Sequence, residues 1–247
     1  MLVDTHCHIH EESYSLPLDE VFSRSHENGV SKMICVGTST QSTEEAIAFA
    51  GIHDNCFASI GVHPHDTKEG YDIARYAGSP KVIAVGEIGL DYFYTHSPKE
   101  TQIQALRSQI EVALAHDLPV IFHVRDAFED FWPIFDSYTG IKGVLHSFTD
   151  SMDNMQKAIA RGLYIGVNGI STFTKDPVQQ MMFDAIPAER LLFETDAPFL
   201  TPTPFRGKVN EPALVSAVAE YHASRRGISL EDISTTTTAN AHVLFAL

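Results

Sequence analysis

Two histidines stand two residues apart in the opening run Asp4-Thr5-His6-Cys7-His8. Neutral imidazoles are good ligands for divalent metals, and two on one face of a strand can chelate a single ion. Side chains alternate across a strand, so His6 and His8 share a face while Cys7 points to the other. Paired histidines on a strand also occur without metal, so this pair alone leaves both readings open. The rest of the chain adds to it. An apolar run gives way to Glu87 after Val85-Gly86, to His123 after Ile121-Phe122, and to His146 after Val144-Leu145. The run Leu192-Phe193-Glu194 gives way to Thr195-Asp196. One such residue after a strand is ordinary polar decoration. Histidines and carboxylates at equivalent points of several strands amount to a ligand set suited to metal-assisted hydrolysis.

The elements that must bring these residues together are legible as eight short apolar runs: Leu2–His6, Met33–Gly37, Phe57–Val62, Val82–Glu87, Pro119–His123, Gly143–His146, Leu163–Val167 and Leu191–Glu194. Helical periodicity fills most of the gaps. Leu18, Val21, Phe22 and Ser25 repeat at helical spacing before Gly29; Pro98 opens a helix with Ile103, Leu106, Ile110 and Ala113-Leu114 on one face; Met152, Met155 and Ile159 mark another before Gly162. The threonines Thr235–Thr238 fall inside a terminal helical pattern. Alternating strands and helices predict a parallel sheet covered by helices. Eight strands in 247 residues predict an α/β fold closed as a (β/α)8 TIM barrel, a single domain over residues 1–247. An open doubly wound sheet is the alternative, weakened because no glycine-rich dinucleotide fingerprint follows the first strand. In a barrel the ligand-bearing strand ends converge on the C-terminal face, where active sites sit.

Composition excludes several classes. Hydrophobic residues at 44% and charged residues at 20% describe a packed globular chain. No apolar run is long enough to span a bilayer, and Met1-Leu2-Val3 lacks the basic start of a signal peptide, so a cytoplasmic protein without membrane partner is expected. Three cysteines without a CxxC pair point to reduced thiols. The net charge of −15 argues against binding nucleic acid through a broad basic surface. A phosphate-bearing substrate would have to be drawn by local positive charge, which bound metal ions could supply.

The chain resembles the TatD family of metal-dependent deoxyribonucleases, within the wider amidohydrolase-like barrels. The resemblance is carried by Asp4–His8, Gly61-Val62-His63-Pro64-His65, Gly86–Tyr92, His123-Val124-Arg125-Asp126-Ala127 and His146-Ser147-Phe148. It continues through Glu194–Leu200, Arg206–Pro212 and Asn240-Ala241, and so runs almost end to end. Val124 and Ser147 stand at looser positions of the pattern and remove no ligand. The resemblance implies a binuclear site for two divalent ions (Zn2+, Mn2+ or Mg2+). His6, His8 and Asp196 would hold one and His123 and His146 the other, with Glu87 as the catalytic carboxylate bridging them.

Asp196 is the expected ligand and proton acceptor; its alternative is a helix N-cap after the last strand. Substrate contact is expected of His63, Arg125 and Arg206, with pairing to Asp126 the alternative for Arg125. Lys208 and Asn210 are further candidates for gripping a backbone in the loop after the last strand. Asp91 is expected to hold the second nitrogen of a ligand histidine, whereas His65 reads as a solvated loop residue. Tyr92, Phe93, Phe148, Phe173 and Phe199 are candidates for base stacking, each weighed against ordinary packing. The expected activity is hydrolysis of DNA, by resemblance 3′→5′ on single strands, with no obligate protein partner evident. The alternatives are a metal-dependent hydrolase of another ester, amide or aminoacyl-tRNA, and a catalytically idle partner-binding barrel, which would require the loss of a ligand.

Overall fold

The computed structural model describes residues 1–94 and 96–247. In chain order the elements are β1 (Leu2–Cys7), α1 (Leu18–Glu27), β2 (Val30–Val36), α2 (Thr40–Ile52), β3 (Cys56–Ile60), β4 (Val82–Asp91), α3 (Lys99–Ala115), β5 (Val120–Arg125) and α4 (Phe128–Phe135). They continue with β6 (Gly143–Leu145), α5 (Met152–Ala160), β7 (Tyr164–Val167), α6 (Ile170–Phe173), α7 (Pro177–Ala185), β8 (Leu191–Phe193), α8 (Val215–Arg226) and α9 (Leu230–Phe245). All eight expected strands form, and they lie in the sheet in sequence order, β1 to β8. A doubly wound sheet reverses direction at a switch point, and this order has none. Backbone bonds also tie the first strand to the segment following the last: His8 N–H donates to Ala197 O at 2.8 Å and Asp196 N–H to His6 O at 2.9 Å. The fold class is therefore the (β/α)8 barrel, and the open-sheet alternative falls.

Contacts divide the chain into two compact units, Met1–Ile34 with His146–Leu247, and Cys35–Leu145. In the first, the buried Asp4 accepts Thr195 N–H at 2.8 Å and the Thr195 hydroxyl at 2.6 Å. Burial pushes the Asp4 carboxyl up to about 8, against the pull of these bonds. Cys7 is buried with its thiol directed to Ile34 O at 3.5 Å, while His6 and His8 make an edge contact with each other. The alternation expected for β1 is thus met. The threonine run lies within α9, as its pattern predicted.

In the second unit two expectations shift. β4 was expected to end at Glu87 and continues to Asp91. The pairing of β4 with β5 slips between Val85 and Ile88, a bulge-like irregularity that gives Glu87 its own aim away from the regular pleat. Gly89 permits a close approach here, since a Cβ on it would collide with the His123 carbonyl. The second shift is on α3, whose buried face carries Gln102, Ala105, Leu106, Gln109, Ile110 and Ala113, with Ile103 only partly covered. Gln109 exchanges both hydrogen bonds with the Val62 backbone, at 2.7 and 3.2 Å. Gln102 does the same for Asp91, at 2.9 and 3.1 Å. These two amides satisfy backbone groups just after β3 and at the end of β4, where the sheet ladder no longer does.

Cys7, Cys35 and Cys56 are buried free thiols. Among the described residues no helix is long and apolar enough to cross a membrane.

Candidate metal centre

In the first unit β1, the segment after β6 and the segment after β8 bring His6, His8, His146 and Asp196 together. The Nε2 atoms of His6 and His8 lie 3.1 Å apart, and Asp196 Oδ1 is 3.6 Å from the first and 3.4 Å from the second. Ligands at about 2.0–2.1 Å from a tetrahedral zinc stand about 3.3 Å from one another. Three donor atoms therefore already have the spacing of a coordination shell. The His146 ring stacks on His6 with centroids 3.9 Å apart, and His6, His146 and Asp196 also present ligand atoms within 4.8 Å of one another. Burial by itself would raise the Asp196 carboxyl, but the hydrogen bond to His8 and the fields of His6 and His146 bring it down to about 2. An ionised carboxylate facing imidazole nitrogens is a donor set that fits a divalent cation.

Asp196 adopts φ +58°, a left-handed conformation that aspartate tolerates better than most residues. No α-helix follows it until α8, so the N-cap alternative falls. Glu194 lies behind His146, its Oε1 3.3 Å from His146 Nδ1 without hydrogen-bond geometry, and it accepts Ser147 N–H at 2.6 Å. Gly166 leaves room for this, since a Cβ there would strike the Glu194 carboxylate. The sequence shows Glu194 at the end of an apolar run and in the family motif, with no role of its own. A carboxylate inside an apolar run is the sequence signal that it serves a neighbouring polar group, and the structure finds it buried.

In the second unit β4, β5 and the loop after β3 bring together His63, Glu87 and His123, with ligand atoms within 4.8 Å of one another. Glu87 Oε1 is 2.9 Å from His123 Nδ1 and 3.5 Å from His63 Nε2. The other nitrogen of His123, Nε2, is 2.9 Å from Asp91 Oδ2. If Nε2 donates its proton to Asp91, the Nδ1 lone pair faces the Glu87 carboxylate, and two acceptors so close need a proton or a cation between them. A metal fits here too. His63, expected to touch substrate, thus joins the ligand-type residues.

The expected role of Asp91 matches what is found: it orients His123. It also takes up His65, whose Nε2 lies 3.0 Å from the same oxygen, so His65 is not the solvated residue expected. Burial pushes Asp91 up, but the bonds from His123, Tyr94 N–H and His65 outweigh it and hold the carboxyl well below the ordinary range. Asp91→Asn should lower metal affinity or turnover about 10- to 100-fold, the usual cost of losing such a partner. Metal titration of the variant checks this, and unchanged affinity and rate would show that His123 is oriented by something else.

The remaining candidates separate. Arg125 lies over the ring of Phe93 at 3.9 Å and that of Tyr94 at 5.1 Å, so the pairing with Asp126 is not formed. Arg206 covers Phe173 at 3.9 Å and donates to Thr201 O at 2.7 Å. Asn210 is fully buried and donates to Thr195 O and Phe199 O, which makes it a loop brace instead of a substrate contact. Lys208 is exposed, over the ring of Phe205. Phe148 is core, whereas Phe93 and Phe199 are exposed.

A (β/α)8 fold with histidine–carboxylate clusters at its strand ends is the architecture of a metal-dependent hydrolase. The family described as TatD related DNase matches residues 3–246. The metal-dependent hydrolase YabD of Bacillus subtilis is 38% identical over 254 residues, covering 100% of both chains. The 3′-5′ ssDNA/RNA exonuclease TatD of Salmonella typhimurium is 35% identical over 241 residues, covering 92% of each. The crystal structure of YJJV, a TatD homolog from Escherichia coli, superposes with a TM-score of 0.92 at 27% identity, covering 100% of this chain and 98% of that one. The chain belongs to the TatD-related family and is a metal-dependent hydrolase acting on ester bonds.

Proposed function

We propose that the ester is a nucleic-acid phosphodiester, and that the chain is a deoxyribonuclease acting 3′→5′ on single strands in the cytoplasm. The observation that carries this is the His6–His8–Asp196 set at coordination spacing, taken with the similarity to an exonuclease-named relative. In this reading one domain spans residues 1–247. His6, His8 and Asp196 would hold one divalent ion and His123 and His146 a second, with Glu87 shared; the sharing and the His123–His146 pairing rest on the family resemblance. Divalent ions in this place supply the positive charge and Lewis acidity that phosphodiester hydrolysis needs near neutral pH.

The chain's own groups do the rest. Asp196, kept ionised by the imidazoles around it, orients the attacking water and accepts its proton. Asp91 holds His123 in register, and Glu194 places a negative charge beside His146. His63, Arg125 and Arg206 meet phosphate oxygens.

A second reading is supported by the YabD similarity, which is slightly higher and comes with the name of a metal-dependent hydrolase alone, and by the net charge of −15. It is hydrolysis of another ester, an amide or an aminoacyl-tRNA. Metal-stripped and reloaded protein should be assayed on labelled single- and double-stranded DNA, RNA and small esters and amides across a salt series. The nuclease reading expects cleavage of single strands with a shallow salt slope near about −2, because roughly −0.7 per phosphate and two or three contacts give that value. Brisk turnover of a small ester or amide with no phosphodiester cut would establish the second reading.

A further inference from the structure

The loop after β4 carries an aromatic pair that metal chemistry does not require. Phe93 and Tyr94 are 53% and 43% exposed, and their rings meet edge to face at 4.7 Å. Exposed aromatic rings lose the benefit of burial, so their presentation to solvent calls for a cause. Their placement is fixed: both backbone N–H groups donate to Asp91 Oδ1 at 3.0 Å. The other oxygen of the same carboxylate holds His123. One buried side chain thus sets the aromatic pair and a metal-ligand candidate in a constant relation. Arg125, two residues beyond His123, lays its guanidinium over both rings.

Three other arginines of this acidic chain are matched to carboxylates, Arg24 to Glu211, Arg75 to Glu44 and Arg225 to Asp184, while Arg190 and Arg206 also lie over rings. Arg125, among the described residues, has ring faces as its side-chain partners and no ion pair. A guanidinium lying on a ring still has its edge N–H groups to offer to an anion. Tyr94 also borders a hollow of about 280 Å³ with His96 and Lys99. Its ring is close to parallel with that of His96, at 17°. Rings, a planar cation and a nearby lysine are the parts of a single-strand nucleotide subsite, in which bases stack without sequence preference and cations meet the backbone.

We propose that Phe93, Tyr94 and Arg125 form a nucleotide subsite, the base next to the scissile phosphate stacking on the two rings while Arg125 binds the phosphate beside it. The proposal rests on the nuclease reading for the word scissile, but the subsite can be tested apart from it.

The probe for binding is 2-aminopurine deoxyribonucleoside 5′-monophosphate, which holds no phosphodiester and loses fluorescence when its base stacks. With metal-loaded protein, saturable quenching is expected. Phe93→Ala/Tyr94→Ala should weaken it about tenfold, within what one base–aromatic stack contributes, while Phe93→Trp should preserve it. For turnover, an oligothymidylate with an abasic 3′-terminal nucleotide is compared with the intact strand. The wild type should lose about tenfold in kcat/KM on the abasic strand, mostly through KM, and the double alanine variant should show almost no difference between the two. Absence of quenching, equal quenching in the alanine variant, or equal wild-type cleavage of both strands would overturn the subsite. Ring-dependent quenching in a protein that cuts no phosphodiester would uphold it and overturn the nuclease reading instead.

Discussion

Asp196→Asn is expected to lower kcat at least about a hundredfold while leaving KM within a few fold, the pattern for losing a group that acts in the transition state. The substitution is close to isosteric, and asparagine tolerates the left-handed φ of +58° at this position as well as aspartate does. Backbone strain therefore does not confuse the result. What disappears is the negative charge set between His6 and His8, at 3.6 and 3.4 Å, and with it the ability to accept a proton. Elemental analysis of the variant separates the two duties of this residue. Metal retained with kcat lost assigns proton transfer to Asp196; metal lost together with activity assigns it mainly to ligation. A folded, metal-loaded Asp196→Asn protein turning over at the wild-type rate would remove Asp196 from the chemistry.

The parts of this molecule that follow from local pattern could be read in advance. Period-two alternation placed His6, and His8 one residue past β1, on one side and Cys7 on the other, and helical spacing with Gly29, Pro98 and Gly162 placed α1, α3 and α5 close to where they are found. What escaped depends on which backbone groups lack a partner, something spacing does not encode. The apolar spacing of α3 marks neither Gln102 nor Gln109, yet both are buried, bonding the Asp91 and Val62 backbone. Glu194 carries no assigned role in the sequence, yet it is buried beside His146 and accepts Ser147 N–H. The extension of β4 through Gly86 and Gly89 was hidden because glycine signals both a break and a close approach, and only the position of the His123 carbonyl decides between them. His65 is not solvated because its partner, Asp91, lies 26 residues away in sequence, beyond the reach of local spacing.

Stripping the protein with a chelator should abolish turnover, and reloading should restore it as two divalent ions bind per chain. His8→Ala should then hold one ion and fall at least about a hundredfold in activity, beyond the upper end of what losing an outer partner costs. The reason is geometric. His8 Nε2 is one of three donor atoms at 3.1 to 3.6 Å from one another, and two donors retain an ion far less well than three. The residues that would hold the second ion, His123, His146 and Glu87, include neither His8 nor Asp196, so that ion should survive. Cys7→Ala is the counterpart on the opposite face of the same strand. Its thiol is directed to Ile34 O, away from the imidazoles, so the change should cost about 1 kcal/mol of stability and leave both ions and kcat in place. Metal content by elemental analysis, read beside kcat for each variant, checks all three statements together. Loss of metal in Cys7→Ala with retention in His8→Ala would reverse the strand phase on which the whole site depends. Full activity with a single ion in the wild type would leave the His6–His8–Asp196 set and the His63–Glu87–His123 set as rivals for it, and the His8→Ala variant would then show which of the two is the working centre.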